Sequence, residues 1–145
     1  MKDAIASTYI YNIIIIFMLI IFVFIMGTIV YYKSFKINKN ILSIIEKYEG
    51  YNDLAKEEIA TSLKSIGYGV EADGRCPTKE GVMAEAPADN YKYCIYYFPN
   101  DAEDGGNTYY SYGVITYVSF DFPFFNTFIR IPIYTKSNRI FRFNA

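Results

Sequence analysis

The chain has 145 residues, with neither histidine nor tryptophan and only two cysteines among them. Without histidine the commonest general base, the usual catalytic triad and nearly all zinc-enzyme sites are excluded. The two cysteines, Cys76 and Cys94, stand too far apart for a redox Cys-x-x-C motif and are too few for a metal site. Net charge is −1, so there is no basic field to hold nucleic acid, and nucleic acid is not expected as a partner. Charged residues make up 20% of the chain, below the roughly 25% of ordinary globular domains. The shortage is concentrated, because no charged residue occurs from Ala4 to Tyr32. That stretch argues against a purely soluble protein. Gly-rich phosphate loops, paired catalytic carboxylates and a nucleophile elbow are also missing. The sequence therefore predicts no catalytic residue, no cofactor, no metal site and no enzyme.

What is present begins with Ile13 to Met26, an uninterrupted apolar core. A spanning helix needs about 20 such residues, and the stretch from Tyr9 to Tyr32 supplies them. Tyr9 and Tyr11 lie at one end and Tyr31 and Tyr32 at the other, where an interfacial belt places amphipathic rings. A cleaved signal peptide would have a shorter core of about 7–15 residues ending in small residues, so a retained anchor is expected. Beyond it, Ile37, Ile41, Ile44, Ile45 and Tyr48 fall on one helical face, and Gly50 offers a stop. The expected segments are a tail at 1–8, a transmembrane helix at 9–32, its amphipathic continuation at 33–50 and an α+β extracytoplasmic domain at 51–145.

Within that domain Asn52 or Asp53 can cap a second helix with Leu54, Ile59, Leu63 and Ile66 on its apolar face and Gly67 at its end. The pattern then turns to β. Tyr91 to Phe98 is one strand candidate, and Thr108 to Phe122 is the longest, with Tyr110, Tyr112, Val114, Val118, Phe120 and Phe122 on one face until Pro123 interrupts it. Thr127 to Tyr134 and Arg139 to Phe143 follow, joined by Lys136-Ser137-Asn138 as a tight turn, and Pro132 marks its strand as an edge or bulge. Glu71 to Asn90 lacks periodicity and reads as loop. The fold class is α+β: a long N-terminal helix, a short second helix and a small antiparallel sheet.

Outside the cytoplasm, Cys76 and Cys94 would form a disulfide tying the loop to a strand; inside it, they would stay separate buried thiols. Asp101, Glu103 and Asp104 before Gly105-Gly106 lack the spacing of a calcium loop and read as a solvated hairpin connection. Arg130, Arg139 and Arg142 interleave with phenylalanines and are expected on the solvent side of the sheet or at a partner surface. Topology is contested by the sequence itself. Lys33, Lys36 and Lys39 outnumber Lys2, which by the positive-inside bias favours a cytoplasmic domain. The cysteine pair and the Tyr-rich β-domain favour export, and export is the expectation.

Asp3-Ala4-Ile5-Ala6-Ser7-Thr8-Tyr9 runs into the apolar core, Tyr31-Tyr32-Lys33 leaves it, and Ile37–Tyr48 continues it. Near the C-terminus Ile129-Arg130-Ile131-Pro132-Ile133 leads into Arg139-Ile140-Phe141. Over nearly its full length the chain resembles a type IV pilin-like subunit, most closely the TadE-like minor pseudopilins of tight-adherence (Flp) pili. The resemblance implies a structural membrane-anchored subunit. Its implied partners are the membrane, other pilin-like subunits and a pilus assembly platform. The chain departs from that family where a prepilin peptidase acts: Asp3 replaces the glycine before the cut, and Thr8 replaces the glutamate beyond it, while Tyr9 fits. These departures imply an unprocessed N-terminus and leave Thr8, Tyr9, Tyr31 and Tyr32 as anchor or assembly residues. The alternative is a bitopic sensor or accessory ectodomain that binds a cell-surface ligand.

Overall fold

The structure, a computed structural model, describes residues 2–69, 71, 75–84, 91–104, 107–121 and 128–142, with side chains at all of these except 2–6, 101–108, 120, 121, 128, 129 and 142. Helix α1 (Lys2–Lys47) is one continuous helix of 46 residues, so the apolar run and the amphipathic segment share an axis. No proline interrupts it, and its backbone bonds are satisfied internally along the whole apolar stretch. The expected stop at Gly50 falls one residue earlier. Glu49 adopts the left-handed conformation (φ 52°), with its N–H bonded to the Glu46 carbonyl and that of Gly50 bonded to the Ile45 carbonyl. Gly50 instead makes room for a neighbouring ring, since a Cβ there would stand 3.2 Å from the Tyr112 hydroxyl oxygen.

Helix α2 (Asp53–Ile66) starts as the sequence predicts. The Asn52 side chain accepts the Ala55 N–H at 2.9 Å, and Gly67 ends the helix in the left-handed region. Its buried face is Ala55, Ile59 and Leu63, whereas Leu54 and Ile66 are exposed. The sequence pattern places those last two on the apolar face, and the structure does not. The i, i+4, i+8 spacing from Ala55 overrides side-chain size, since a small residue lets α2 lie close to α1.

The strands are β1 (Val82–Met83), β2 (Tyr93–Asp104), β3 (Asn107–Asp121), β4 (Phe128–Lys136) and β5 (Ile140–Arg142). They form one antiparallel sheet in the order β1-β2-β3-β4, with β5 also on β3. Strand β2 runs past the expected end at Phe98, but the register slips between Phe98 and Ala102. Pro99 lies in that slip, where a residue without an N–H breaks the ladder. Asp104 pairs with Asn107, so the acidic segment belongs to a hairpin, while Gly105-Gly106 and the acidic side chains lie outside the described residues. The expected turn at Lys136-Ser137-Asn138 does not fold β5 back on β4. Both strands pair with β3, β4 along Gly113–Asp121 and β5 along Thr108–Tyr110, so they lie end to end. Ser137 bridges the gap: its N–H donates to the Tyr112 carbonyl, and its hydroxyl accepts from the Tyr112 N–H. Pro123 and Phe143 lie outside the described residues.

Two cores sandwich the middle of the sheet. On one face Ile37, Ile41, Leu42, Ile44 and Ile45 of α1 join Ala55, Ile59, Leu63, Ile95 and Val114. On the other, Cys76, Tyr91, Cys94, Tyr96, Ile115 and Tyr117 pack together. From Ser111 to Val118 strand β3 is buried at nearly every residue, which replaces the expected alternation of buried and exposed positions.

Candidate functional site

The lower half of α1 differs from the rest of the molecule. Its large apolar side chains from Tyr9 to Ile29 are 39–73% exposed, including Phe17, Phe22 and Phe24. Mean hydropathy over its most apolar 18 residues is 3.3, and none of that window is buried. The helix is long and apolar enough to cross a membrane. Thr8, Tyr9, Tyr31 and Tyr32 are all exposed on it, and the Tyr31 ring stacks on Phe35 at 6.5 Å between centroids. The structure leaves these four residues spread along the helix rather than drawing them into one site.

Where the helix enters the domain, a buried amide locks it to the sheet. Asn38 is fully buried, and its Nδ2 lies 3.0 Å from the Val114 carbonyl, 2.9 Å from the Ile133 carbonyl and 3.1 Å from the Thr116 hydroxyl. One side chain thus ties α1 to both β3 and β4. Its Oδ1 has no hydrogen-bond partner among the described residues. The apolar stripe draws attention to isoleucines and passes over Asn38. The signal is its position, one residue after Ile37 on the face that Ile41 and Ile45 share.

On the opposite face Cys76 and Cys94 are joined in a disulfide, with Cα atoms 5.9 Å apart. It pins the loop over the outer core, where hydroxyls satisfy one another. Tyr91 and Tyr117 share a hydrogen bond of 2.9 Å, and Tyr91 also donates to the Arg75 carbonyl. The Tyr96 hydroxyl donates to the Pro77 carbonyl, and from the helix-side core the Tyr68 hydroxyl accepts the Tyr117 N–H. Burial pushes the phenols of Tyr68, Tyr96 and Tyr117 above the ordinary tyrosine value, with the neighbouring Tyr91 adding to the shift at Tyr117. These rings are structural polar groups held neutral.

Beside them lies an open cleft of about 660 Å³ lined by Thr78, Lys79, Glu80, Phe98, Tyr134 and Lys136. Lys136 Nζ stands 4.5 Å from the Phe98 ring centroid, and Lys79 Nζ stands 5.1 Å from that of Tyr134. Both rings approach glycines closely: a Cβ on Gly113 would come within 2.7 Å of Tyr134, and one on Gly81 within 2.8 Å of Phe98. No sequence pattern exposes this cleft, because separate strands and a loop contribute to it. Arg130 and Arg139 are exposed, as the sequence predicts, and the Arg142 side chain lies outside the described residues. Among the described residues no three His, Cys, Asp or Glu side chains gather into a metal site. Compared with known proteins, the chain matches no family model, no curated protein and no solved structure.

Proposed function

We propose that this chain is a single-pass membrane protein whose α+β domain lies outside the cytoplasm, and that it serves as a structural, minor-pseudopilin-like subunit of a pilus or secretion assembly. One observation carries the reading: a single unbroken helix exposes its large apolar side chains from Tyr9 to Ile29 and forms the domain core further along. Burying a large apolar side chain is worth about 1.5–3 kcal/mol, so the exposed stretch from Tyr9 to Ile29 represents tens of kcal/mol of unmet burial in water. Lipid and neighbouring spans satisfy that demand. A helix laid over an antiparallel sheet, with its free half available for lateral packing, is the form the pilin-like resemblance implies, and a disulfide suits an oxidising compartment.

Purification from detergent-solubilised membranes tests the assembly reading. Recovery together with other single-span subunits and a polytopic platform protein is expected; a chain that purifies alone as a monomer removes it. Topology is read separately with a membrane-impermeant maleimide on intact cells, where labelling is expected only after reductant. A second reading, an accessory ectodomain that takes a cell-surface ligand, is favoured by the aromatic and lysine-lined cleft. Monomeric purification with the outward topology intact would promote that reading.

A further inference from the structure

Between the apolar half of α1 and its docked half lies a short stretch whose charge is all of one sign. Lys33, Lys36 and Lys39 are exposed on it, and no aspartate or glutamate occurs from Ala4 to Ile45. Because α1 runs through this stretch without a break, the heights of the lysines follow from the helical rise. Lys33, Lys36 and Lys39 stand about 1.5, 6 and 10 Å beyond Tyr32 along the axis. The polar headgroup layer of a bilayer is about 5–8 Å deep on each side of its hydrocarbon core. With Tyr31 and Tyr32 at the edge of that core, Lys33 and Lys36 lie within the layer. Lys39 leans back toward it, its ammonium 5.8 Å from the centroid of the Phe35 ring one turn lower.

The three lysines also share a side. At 3.6 residues per turn they cover an arc of about 120°, centred about 150° from the centre of Ser34, Ile37, Asn38 and Ile41. Those four are buried, and Asn38 bonds to β3 and β4, so the lysines face away from the sheet. Higher up, α2 closes that side of α1, through Asn40 with Ser62 and Lys47 with Glu58. The lysines thus lie in an open notch, with α2 above them and the apolar half of α1 below. Phe35 is partly exposed beside them and stacks on Tyr31. The ion pairs among the described residues join Lys47 to Glu58, Lys56 to Asp53 and Lys92 to Glu71, so none neutralises Lys33, Lys36 or Lys39.

We infer that this notch is a binding surface for anionic phospholipid headgroups of the leaflet next to the domain, with Lys33, Lys36 and Lys39 as their cationic ligands. This rests on the reading of α1 as a membrane span. A lysine ammonium meets phosphate as a point charge on a flexible stem, so it follows a mobile headgroup without demanding fixed geometry. Ile29 and Tyr32, exposed on the same side just below, suit the acyl chains and the glycerol level of the same lipid. Headgroup depth favours lipid over an acidic protein, because a soluble partner would have to displace lipid to reach Lys33 and Lys36. By the positive-inside bias these lysines are a topology signal; as lipid ligands they serve on either side of the membrane.

The absence of tryptophan allows single reporters in the full chain, reconstituted in phosphatidylcholine vesicles. Ile29→Trp and Tyr32→Trp, both at exposed positions, report on lipid beside the notch, and Tyr11→Trp reports on the opposite leaflet. Acyl-brominated phosphatidylglycerol and acyl-brominated phosphatidylcholine are compared as quenchers at equal mole fraction. Phosphatidylglycerol should associate about five-fold more strongly at the notch, the equivalent of ~1 kcal/mol for a lysine near an anionic surface. The preference should vanish when Lys33→Gln, Lys36→Gln and Lys39→Gln are combined, and shrink in 1 M salt, where the screening length is about 3 Å. Tyr11→Trp should show no preference. Either notch reporter suffices, so one misfolded variant does not decide the matter. Equal quenching of the notch reporters by the two lipids overturns the inference and leaves the span intact, as does a preference that survives the triple replacement. Absence of quenching by both lipids at all three positions overturns the span itself, and the inference with it.

Discussion

Replacing Asn38 with aspartate keeps the side chain's shape and exchanges its donors for an oxygen. The position is 0% exposed, and the lost donor faces two backbone carbonyls and a hydroxyl at 2.9–3.1 Å. Each lost hydrogen bond costs about 1 kcal/mol net. The larger effect is ionisation. A carboxylate between two carbonyls, with no cation against it, is held protonated, so its native pKa lies above the unfolded value of about 3.9. Stability of the variant is then greatest below pH 4 and falls by about 1.4 kcal/mol per unit as pH rises toward the raised native value. By pH 7 the loss reaches about 4 kcal/mol if that value is not met earlier. Urea unfolding of the detergent-solubilised protein, followed by the near-ultraviolet dichroism of its tyrosines, measures it at pH 4 and pH 7 against wild type. Asn38→Leu, which removes the donors and the unpartnered Oδ1 but leaves the same carbonyls facing an apolar side chain, should cost about 1–3 kcal/mol, equally at both pH values. If Asn38→Asp loses no more stability than wild type between the two pH values, the amide does not sit sealed between helix and sheet.

Three further outcomes are expected. Joint replacement of Cys76 and Cys94 by serine removes a cross-link of sequence separation 18 and should cost about 3 kcal/mol by the loop-entropy relation, with hydrogen exchange rising first in residues 75–84. Ile44→Ala should cost about 2–4 kcal/mol in the same urea assay, because Ile44 is buried between α1 and the sheet. Raising the pH should destabilise the fold from about pH 10, where unfolded tyrosines release protons that Tyr68, Tyr96 and Tyr117 retain in the native state, at about 1.4 kcal/mol per unit for each retained proton. A melting temperature that stays level from pH 9 to 11 would falsify the idea of shielded phenols.

The apolar stripe of α1 is legible because a 3.6-residue period survives in one dimension, and Ile37, Ile41, Ile44 and Ile45 are core. The Asn52 cap and the Gly67 stop are legible for the same local reason. Two cysteines allow only one bond, so the sequence leaves open only whether it forms, and the structure has it. What the linear pattern misses is anything that depends on a neighbour. Leu54 looks like core and Ala55 does not, yet close approach favours the smaller side chain. Strand β3 shows a false alternation because helices cover one face and a disulfide-tied loop covers the other. A turn-like Lys136-Ser137-Asn138 reads as a reversal, although β3 is long enough to receive two strands in succession. Asn38 and the cleft at Phe98 and Tyr134 both arise from cross-strand register, which no linear pattern carries.

Strands β2 and β3 are the elements that both cores share. Val114 belongs to the helix side and Ile115 to the tyrosine side, so adjacent residues of a single backbone face different packing partners. Loosening either side frees the same two strands, and the register of β3 with β2, β4 and β5 is lost together. Partial unfolding that preserves one core is thereby disfavoured, and the domain behaves as one thermodynamic unit despite its two packed layers. Probes placed on the helix and on the tyrosine cluster should report coincident transitions, although only one of those layers carries the covalent tie.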